Sequence, residues 1–225
     1  MKIKYSLKNL YPGIYLCQIE DMYDLAMTFC RVQEYYESPI KEIRGRKFTL
    51  IELMSRYAKR NNGSFSYPLD WGGFNVKGST IEELFNLGID DFNMYDSIIK
   101  KIHDKIIKEV GSSHYYLMGA DNTKSTIEHE LCHAFYFLEK NYKKAVDNIL
   151  KKLTTSAHKK IKQALLDMGY CKDVIQDEIQ AYLTIDHHTF KKRIKFTNSE
   201  TKSLTQIITN LKKNYQMYRR NIKSL

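Results

Sequence analysis

Residues 129–133 read His-Glu-Leu-Cys-His, which places two histidines four positions apart with a glutamate beside the first. On a helix, residues four apart lie one turn above each other on the same face, so His129 and His133 can direct both imidazoles at one metal ion. Glu130 is offset along the helix and can reach a water bound to that metal. The spacing therefore predicts a zinc site with a carboxylate base beside an open coordination position, as in a zinc hydrolase.

The residues around this motif must form a helix for the prediction to hold. Ser125 and Glu128 have the spacing of a capping box, which predicts Ser125 as the N-cap. Apolar residues then recur at helical spacing and predict a stripe that faces the core: Ile127, Leu131, Ala134, Phe135 and Leu138. We expect a partly buried helix over residues 126–140. Two histidines on a helix are also found as ordinary core residues, and a site that has lost its metal keeps the same pattern.

A catalytic zinc usually has three protein ligands, so the chain after the motif must supply a third. Glu178 is the strongest candidate, because it lies between apolar neighbours in a segment with helical periodicity, where an unpaired carboxylate is costly. Asp173 is expected to cap this second helix. The competing interpretation is that Asp177 and Glu178 are two solvated charges on the helix surface.

Other residues near Glu178 have suitable chemistry for the same site. His187 and His188 are alternative zinc ligands, although they also suit a solvated helix end. Asp186 is suited to orienting a ligand histidine through its second ring nitrogen. Tyr182, or one of the two histidines, is suited to donating a hydrogen bond to a developing oxyanion.

Residues 129–134, His-Glu-Leu-Cys-His-Ala, and residues 177–182, Asp-Glu-Ile-Gln-Ala-Tyr, together resemble the zincin metallopeptidases of the gluzincin type. In that group a glutamate on a second helix completes the metal site. The resemblance implies zinc bound by His129, His133 and Glu178, and a peptide or protein as the substrate. It covers a minority of the chain, and the glutamate alone is a weak signal.

The resemblance further implies that Glu130 is the general base and proton shuttle. Gluzincins often carry an aspartate four residues after the ligand glutamate, where this chain has Tyr182. Zincins also commonly place an edge strand before the motif helix, to which an extended peptide adds. Residues 114–119 have strong strand propensity and are interpreted either as that edge strand or as an ordinary buried strand.

The spacing of apolar residues predicts a mainly helical α+β protein, with a small mixed sheet of three to five strands packed on the motif helix. We assign residues 1–190 to a zincin-like domain and residues 191–225 to a basic helical extension packed on the same domain. A helix over residues 22–37 is expected to begin at Asp21 and to carry a surface pair between Arg31 and Glu34. Residues 63–75 are expected to form an aromatic loop anchored to the core.

The charge of the chain is concentrated near its C-terminus. Residues 191–225 hold ten of the 36 Lys and Arg residues and one of the 26 acidic residues, and so carry +9 of the net charge of +10. The pattern is typical of a docked helix with a solvated basic face, which we favour. It also fits a surface for an anionic partner such as nucleic acid or an anionic membrane.

The remaining composition bears on the compartment. Four scattered cysteines favour a reduced protein over a disulfide scaffold, and Cys132 within the motif is interpreted as a packing residue. The sequence contains no long apolar run and no apolar region near its start, so we expect no transmembrane helix, no signal peptide and a cytoplasmic location. These features of the sequence would not reveal export by a specialised secretion system.

Two functions are consistent with these observations. The first is a zinc-dependent metallopeptidase that uses a metal-activated water. The alternative is a basic adaptor for nucleic acid or membrane with a structural or vestigial zinc site. A structural site would be closed by a fourth protein ligand, for which His187 and His188 are the candidates.

Overall fold

A computed structural model describes residues 3–120 and 123–222 of the chain. The protein is 61% helix and 10% strand, with a small mixed sheet of four strands, which confirms the predicted α+β class. The chain divides into two compact units, Met1–Ile127 and Glu128–Leu225. Residues 191–222 lie in the second unit, as does most of the motif helix, and the division at residue 190 stays a prediction.

The first unit combines the sheet with helices. Its elements are β1 (Ser6–Tyr11), β2 (Ile14–Gln18), α1 (Met22–Glu37), α2 (Leu50–Arg60), α3 (Tyr67–Asp70), β3 (Gly73–Lys77), α4 (Gly78–Phe85), α5 (Met94–Val110) and β4 (Tyr116–Ala120). The strand order is β1-β2-β4-β3. β2 and β4 are parallel, whereas the two outer pairs are antiparallel.

The strand before the motif helix lies inside the sheet. β4 pairs with β2 on one side and with β3 on the other, so that Met118 has both Leu16 and Asn75 as backbone neighbours. All five residues of β4 are buried. A strand with neighbours on both sides offers no free backbone groups to an extended peptide. The prediction of an edge strand is therefore wrong, and the interpretation as a buried strand is confirmed.

Helix α1 spans Met22–Glu37, as predicted, and the Asp21 side chain caps it by accepting a hydrogen bond from the backbone N–H of Asp24 at 2.9 Å. The predicted surface pair between Arg31 and Glu34 is wrong, because both side chains are buried. The Arg31 guanidinium instead pairs with Asp91 and Asp96, as detailed below. This helix is covered by other parts of the first unit on more than one side, which helical periodicity alone does not reveal.

The aromatic segment at residues 63–75 is more ordered than a loop. It contains α3 and the start of β3, and Phe74 is 1% exposed. The Phe74 ring stacks on Phe29 with centroids 5.5 Å apart and also contacts Tyr67. Phe74 therefore anchors the segment to the core, as the structural interpretation predicts.

The second unit is helical throughout the part that the structure describes. Its elements are α6 (Lys124–Leu138), which begins in the first unit, α7 (Lys140–Leu150), α8 (Thr155–Asp167), α9 (Ile175–Thr184), α10 (His187–Arg193) and α11 (Asn198–Arg219). Helix α11 packs against α7 and α9, and its buried residues include Leu204, Leu211 and Tyr215. The assignment of residues 191–225 as a basic extension of a zincin-like domain stays a prediction.

Two helix boundaries near the site differ from the prediction. Helix α6 begins at Lys124, so Ser125 lies inside the helix, and the Glu128 carboxylate accepts hydrogen bonds from Tyr215 and Arg219. Helix α9 begins at Ile175 with Val174 in the N-cap position, so Asp173 is not its N-cap. Residues 121–122, which precede α6 in the sequence, lie outside the described residues.

All four cysteines are buried thiols without a disulfide, in accord with their scattered positions. None of the described helices combines the length and the apolar character that crossing a membrane requires.

Candidate metal centre

The orientation of the motif histidines follows from the packing of α6. Leu131, Ala134 and Phe135 are fully buried on this helix, as the apolar stripe predicts, and they fix its rotation about its own axis. His129 and His133 then lie one turn apart, with ring centroids separated by 5.0 Å and planes inclined by 59°. Their four-residue spacing in the sequence therefore places the two imidazoles next to each other in the second unit.

Helix α9 brings the Glu178 carboxylate to the same two rings. Glu178 Oε2 lies 3.8 Å from His129 Nε2, and Glu178 Oε1 lies 3.6 Å from His133 Nε2. One ligand atom from each of the three residues lies within 4.8 Å of the other two. The structure therefore brings together the three residues that the sequence analysis selected as metal ligands.

The spacing of these atoms fits a shared ion better than direct hydrogen bonds. Two atoms bound to one tetrahedral zinc at about 2.1 Å are about 3.4 Å apart, which is close to the observed imidazole–carboxylate distances. Glu178 is 4% exposed, and its Oε2 atom is buried without a hydrogen-bond partner. Because an unpaired buried carboxylate oxygen is costly, a cation bound between the three groups would satisfy it.

A carboxylate contacts the Nδ1 atom of each histidine. His129 Nδ1 is 2.8 Å from Asp186 Oδ2, and His133 Nδ1 is 2.9 Å from Asp177 Oδ1. Since an ionised carboxylate can only accept, each Nδ1–H donates, and in the neutral form of each ring Nε2 has its lone pair on the side that faces Glu178. This is the arrangement that fixes the tautomer and the ring orientation of metal-ligating histidines in known proteins.

The surrounding carboxylates make the centre attractive to cations. Burial by itself would lower the pKa of His129, but Asp186 and Glu178 raise it to about 9. Burial opposes protonation of His133 as well, and Asp177 and Glu178 hold its pKa well above the ordinary value. The negative potential that favours a proton on these rings also favours a divalent metal ion in its place.

Glu130 belongs to the same buried group. Its side chain is 5% exposed, and its negative charge contributes to raising the pKa of both His129 and His133. Its position beside the two imidazoles is the one that the motif predicts for a carboxylate that acts on a metal-bound water.

Tyr182 occupies the position at which gluzincins often carry an aspartate. Its ring meets the His129 ring edge-on, with centroids 4.9 Å apart, and its hydroxyl is 3.0 Å from the Tyr170 hydroxyl. Burial raises the pKa of Tyr182 to about 12. The carboxylate that contacts His129 belongs to Asp186, four residues further along the chain.

The two alternative zinc ligands do not join the centre. Within the described residues, the ligand group consists of the two motif histidines and Glu178, without His187 or His188. His188 is exposed, and His187 lines a separate cavity of the second unit. Cys132 is fully buried, and burial raises the pKa of its thiol well above the ordinary value, as expected for a packing residue.

The sequence does not predict the role of Asp177, for which the only expectation is the competing interpretation of Asp177 and Glu178 as two solvated charges. The structure places it against His133, and Gln180 donates a hydrogen bond to the same carboxylate at 3.0 Å. A usable signal existed, because each ligand histidine in a metal site needs its own acceptor and an acidic residue lies directly before the ligand glutamate.

A comparison of the chain with protein-family models, with curated proteins and with solved structures finds no match.

Proposed function

We propose that the protein is a zinc-dependent metallopeptidase that hydrolyses peptide bonds of a protein substrate. His129, His133 and Glu178 would hold the metal, and Glu130 would be the general base. The observation that carries the proposal is the convergence of two carboxylate-backed imidazoles on the Glu178 carboxylate, which has one buried oxygen without a hydrogen-bond partner.

The donor set supports zinc. Two imidazole nitrogens and one carboxylate oxygen are a common ligand set of catalytic zinc, whereas Ca²⁺ and Mg²⁺ prefer oxygen ligands throughout. A structural zinc usually has four protein ligands, and the group found among residues 3–120 and 123–222 has three. Three protein ligands leave a position for water, which a hydrolase needs.

The residues of the proposed site have separate roles in hydrolysis. Zinc held by His129, His133 and Glu178 would supply Lewis acidity to the scissile carbonyl and to the attacking water, whose pKa it would lower to about 7. Glu130 takes a proton from the attacking water and passes it to the leaving amine. Asp177 and Asp186 keep the ligand rings in place, so that the reacting groups meet in one orientation.

A peptide substrate is proposed because the pairing of the motif helix with a glutamate from a later helix resembles the gluzincin arrangement. The replacement of the usual aspartate by Tyr182 does not weaken this proposal, since Asp186 contacts the His129 ring at the atom that such an aspartate would serve.

The proposal is tested by cleavage of a quenched fluorescent peptide library with zinc-loaded protein. Wild type should cleave members of the library, and the Glu130→Gln variant should bind zinc as wild type does but cleave at least about 100-fold more slowly, because it lacks the base. Glu109→Gln, which changes an exposed glutamate of the first unit, is the matched control and should retain the wild-type rate. Equal cleavage by Glu130→Gln would refute the assigned base.

A further inference from the structure

The second unit contains a cavity of about 570 Å³ between the end of α9, α10 and α11. Most of its wall is apolar and is formed by Leu183, Phe190, Ile194, Leu204 and Ile208. Its volume falls within the range of about 300–1,000 Å³ that is typical of sites for small molecules. None of its lining residues belongs to the proposed metal ligands.

The polar side of this cavity is basic. Lys191 and Lys195 contribute to its lining, and both residues are exposed to solvent. Within the described part of the chain, neither ammonium group has a carboxylate partner within 4.0 Å. An anionic group at this side of the cavity would therefore meet two cations that are not already neutralised.

His187 adds a polar ring to the same lining. A cavity with an apolar wall and a basic side suits a ligand that has an apolar chain and an anionic group.

We propose that this cavity binds a carboxylate with a single apolar chain, such as a medium-chain fatty acid. The chain lies against the apolar wall, and the carboxylate pairs with Lys191 and Lys195. The site is independent of the proposed metal centre and of peptidase activity. A variant without zinc binding, such as Glu178→Ala, should therefore bind the fatty acid as wild type does.

The experiment is a calorimetric titration of the full chain with dodecanoate, kept below its micellar concentration. We expect one dodecanoate per chain and a progressive loss of affinity with decanoate and octanoate, by up to about fourfold for each methylene removed. Dodecyltrimethylammonium, which has the same chain and the opposite charge, should bind at least tenfold more weakly. Equal binding of the cation, or binding of several dodecanoate molecules per chain, would overturn the proposal.

Substitutions of the lining lysines test where the ligand binds. They also distinguish the contribution of its carboxylate from that of its apolar chain. The double variant Lys191→Gln/Lys195→Gln should bind dodecanoate about tenfold more weakly while binding dodecanol as wild type does. The matched control is Lys202→Gln/Lys213→Gln, which removes two exposed lysines of α11 that do not line the cavity. If both double variants lose affinity equally, the attraction is a property of the whole basic surface and the proposed site is wrong.

A third variant tests occupancy of the cavity. Ile208→Trp places a larger side chain in the lining and should abolish binding of dodecanoate and of dodecanol alike. Circular dichroism and thermal unfolding establish whether this variant is folded, and the lysine variants and the chain-length series decide the matter if it is not. Wild-type affinity in a folded Ile208→Trp protein would place the ligand elsewhere and overturn the proposal.

Discussion

His133 donates its Nδ1–H to Asp177, with 2.9 Å between the two atoms, and Asp177 is the residue directly before Glu178. One turn of α9 therefore provides both the carboxylate that faces His133 Nε2 and the carboxylate that holds the ring from its other side. The contact continues through Gln180, which donates to Asp177 and accepts from the Tyr142 hydroxyl at 3.1 Å. The orientation of His133 is thus set by a buried chain of hydrogen bonds.

The first prediction concerns this contact. Asp177→Ala should weaken zinc binding about 10-fold to 100-fold, because His133 loses the acceptor that fixes its tautomer and its orientation. Asp177→Asn should have a smaller effect, since its amide oxygen can still accept the Nδ1–H. Zinc affinity measured by competition with a chromogenic chelator checks both values. Asp167→Asn, an exposed aspartate of α8, is the control, and the assigned role fails if Asp177→Ala binds zinc as tightly as this control does.

The second prediction concerns the third ligand. Glu178→Gln should reduce zinc affinity more than Asp177→Asn does, since it removes a charge that contacts both imidazoles rather than one supporting contact. Zinc should raise the unfolding temperature of Glu178→Gln much less than that of wild type, because the variant binds the ion weakly. Without zinc, Glu178→Gln should lose some stability at neutral pH, since Glu178 raises the pKa of both rings and is a counter-ion of their protonated forms. Thermal unfolding with and without zinc measures both effects. An equal rise in unfolding temperature with zinc in Glu178→Gln and in wild type would contradict the assignment of Glu178 as a ligand.

The third prediction concerns the buried ion cluster of the first unit. Arg31 is 2% exposed and lies 3.1 Å from Asp91 and 3.0 Å from Asp96. Arg31→Met should lower the free energy of unfolding by about 3–5 kcal/mol, because it leaves carboxylates without their buried counter-ion. Lys105→Met, which breaks an exposed pair on α5, should change it by less than about 1 kcal/mol. Urea unfolding followed by the fluorescence of Trp71, the single tryptophan, reports on this unit.

The fourth prediction concerns pH and Glu34. Burial raises the pKa of Glu34 to about 7, while hydrogen bonding to Ser38 and the charge of Arg60 oppose this rise. The folded state therefore holds the proton more tightly than the unfolded state, and stability falls as the pH rises from about 4.5 to about 7. The Glu34→Gln variant lacks the titrating carboxyl group, so it should not lose this stability as the pH rises. It should be more stable than wild type at pH 8, by at most about 3 kcal/mol, and the difference should shrink at pH 5.

The same Trp71 fluorescence measures this effect at each pH. Glu109→Gln is the control, because its carboxylate is exposed, and its stability should follow that of wild type at every pH. A difference between Glu34→Gln and wild type that is the same at pH 5 and pH 8 would contradict the assignment of the titration to Glu34.

Much of the helical structure could be predicted because its signals are local. Helix α1 has an aspartate cap at the expected position and apolar residues at helical spacing, so its predicted bounds are confirmed. Helix α2 was missed although Thr49 and Glu52 form a capping box there, since only two residues of that helix are buried. Strand β3 was missed because the glycines and aromatic residues around it indicate a turn.

The candidate site was predictable to the extent that one helix defines it. His129, Glu130 and His133 occupy fixed positions on α6. The contact between α6 and α9, which brings Glu178 to the histidines, does not follow from any local pattern. The contacts of Asp177 and Asp186 depend on how α9 and the start of α10 turn relative to α6, which no local pattern determines. For the same reason the buried environment of Arg31 and Glu34 was not apparent from their places on α1.

The most direct test of the central claim is anomalous diffraction at the zinc edge from a crystal grown with one equivalent of zinc. We expect one strong peak at about 2.0–2.2 Å from His129 Nε2, His133 Nε2 and a Glu178 carboxylate oxygen, with a further position occupied by water. Absence of a peak between these residues, or a peak bound only by other side chains, would contradict it.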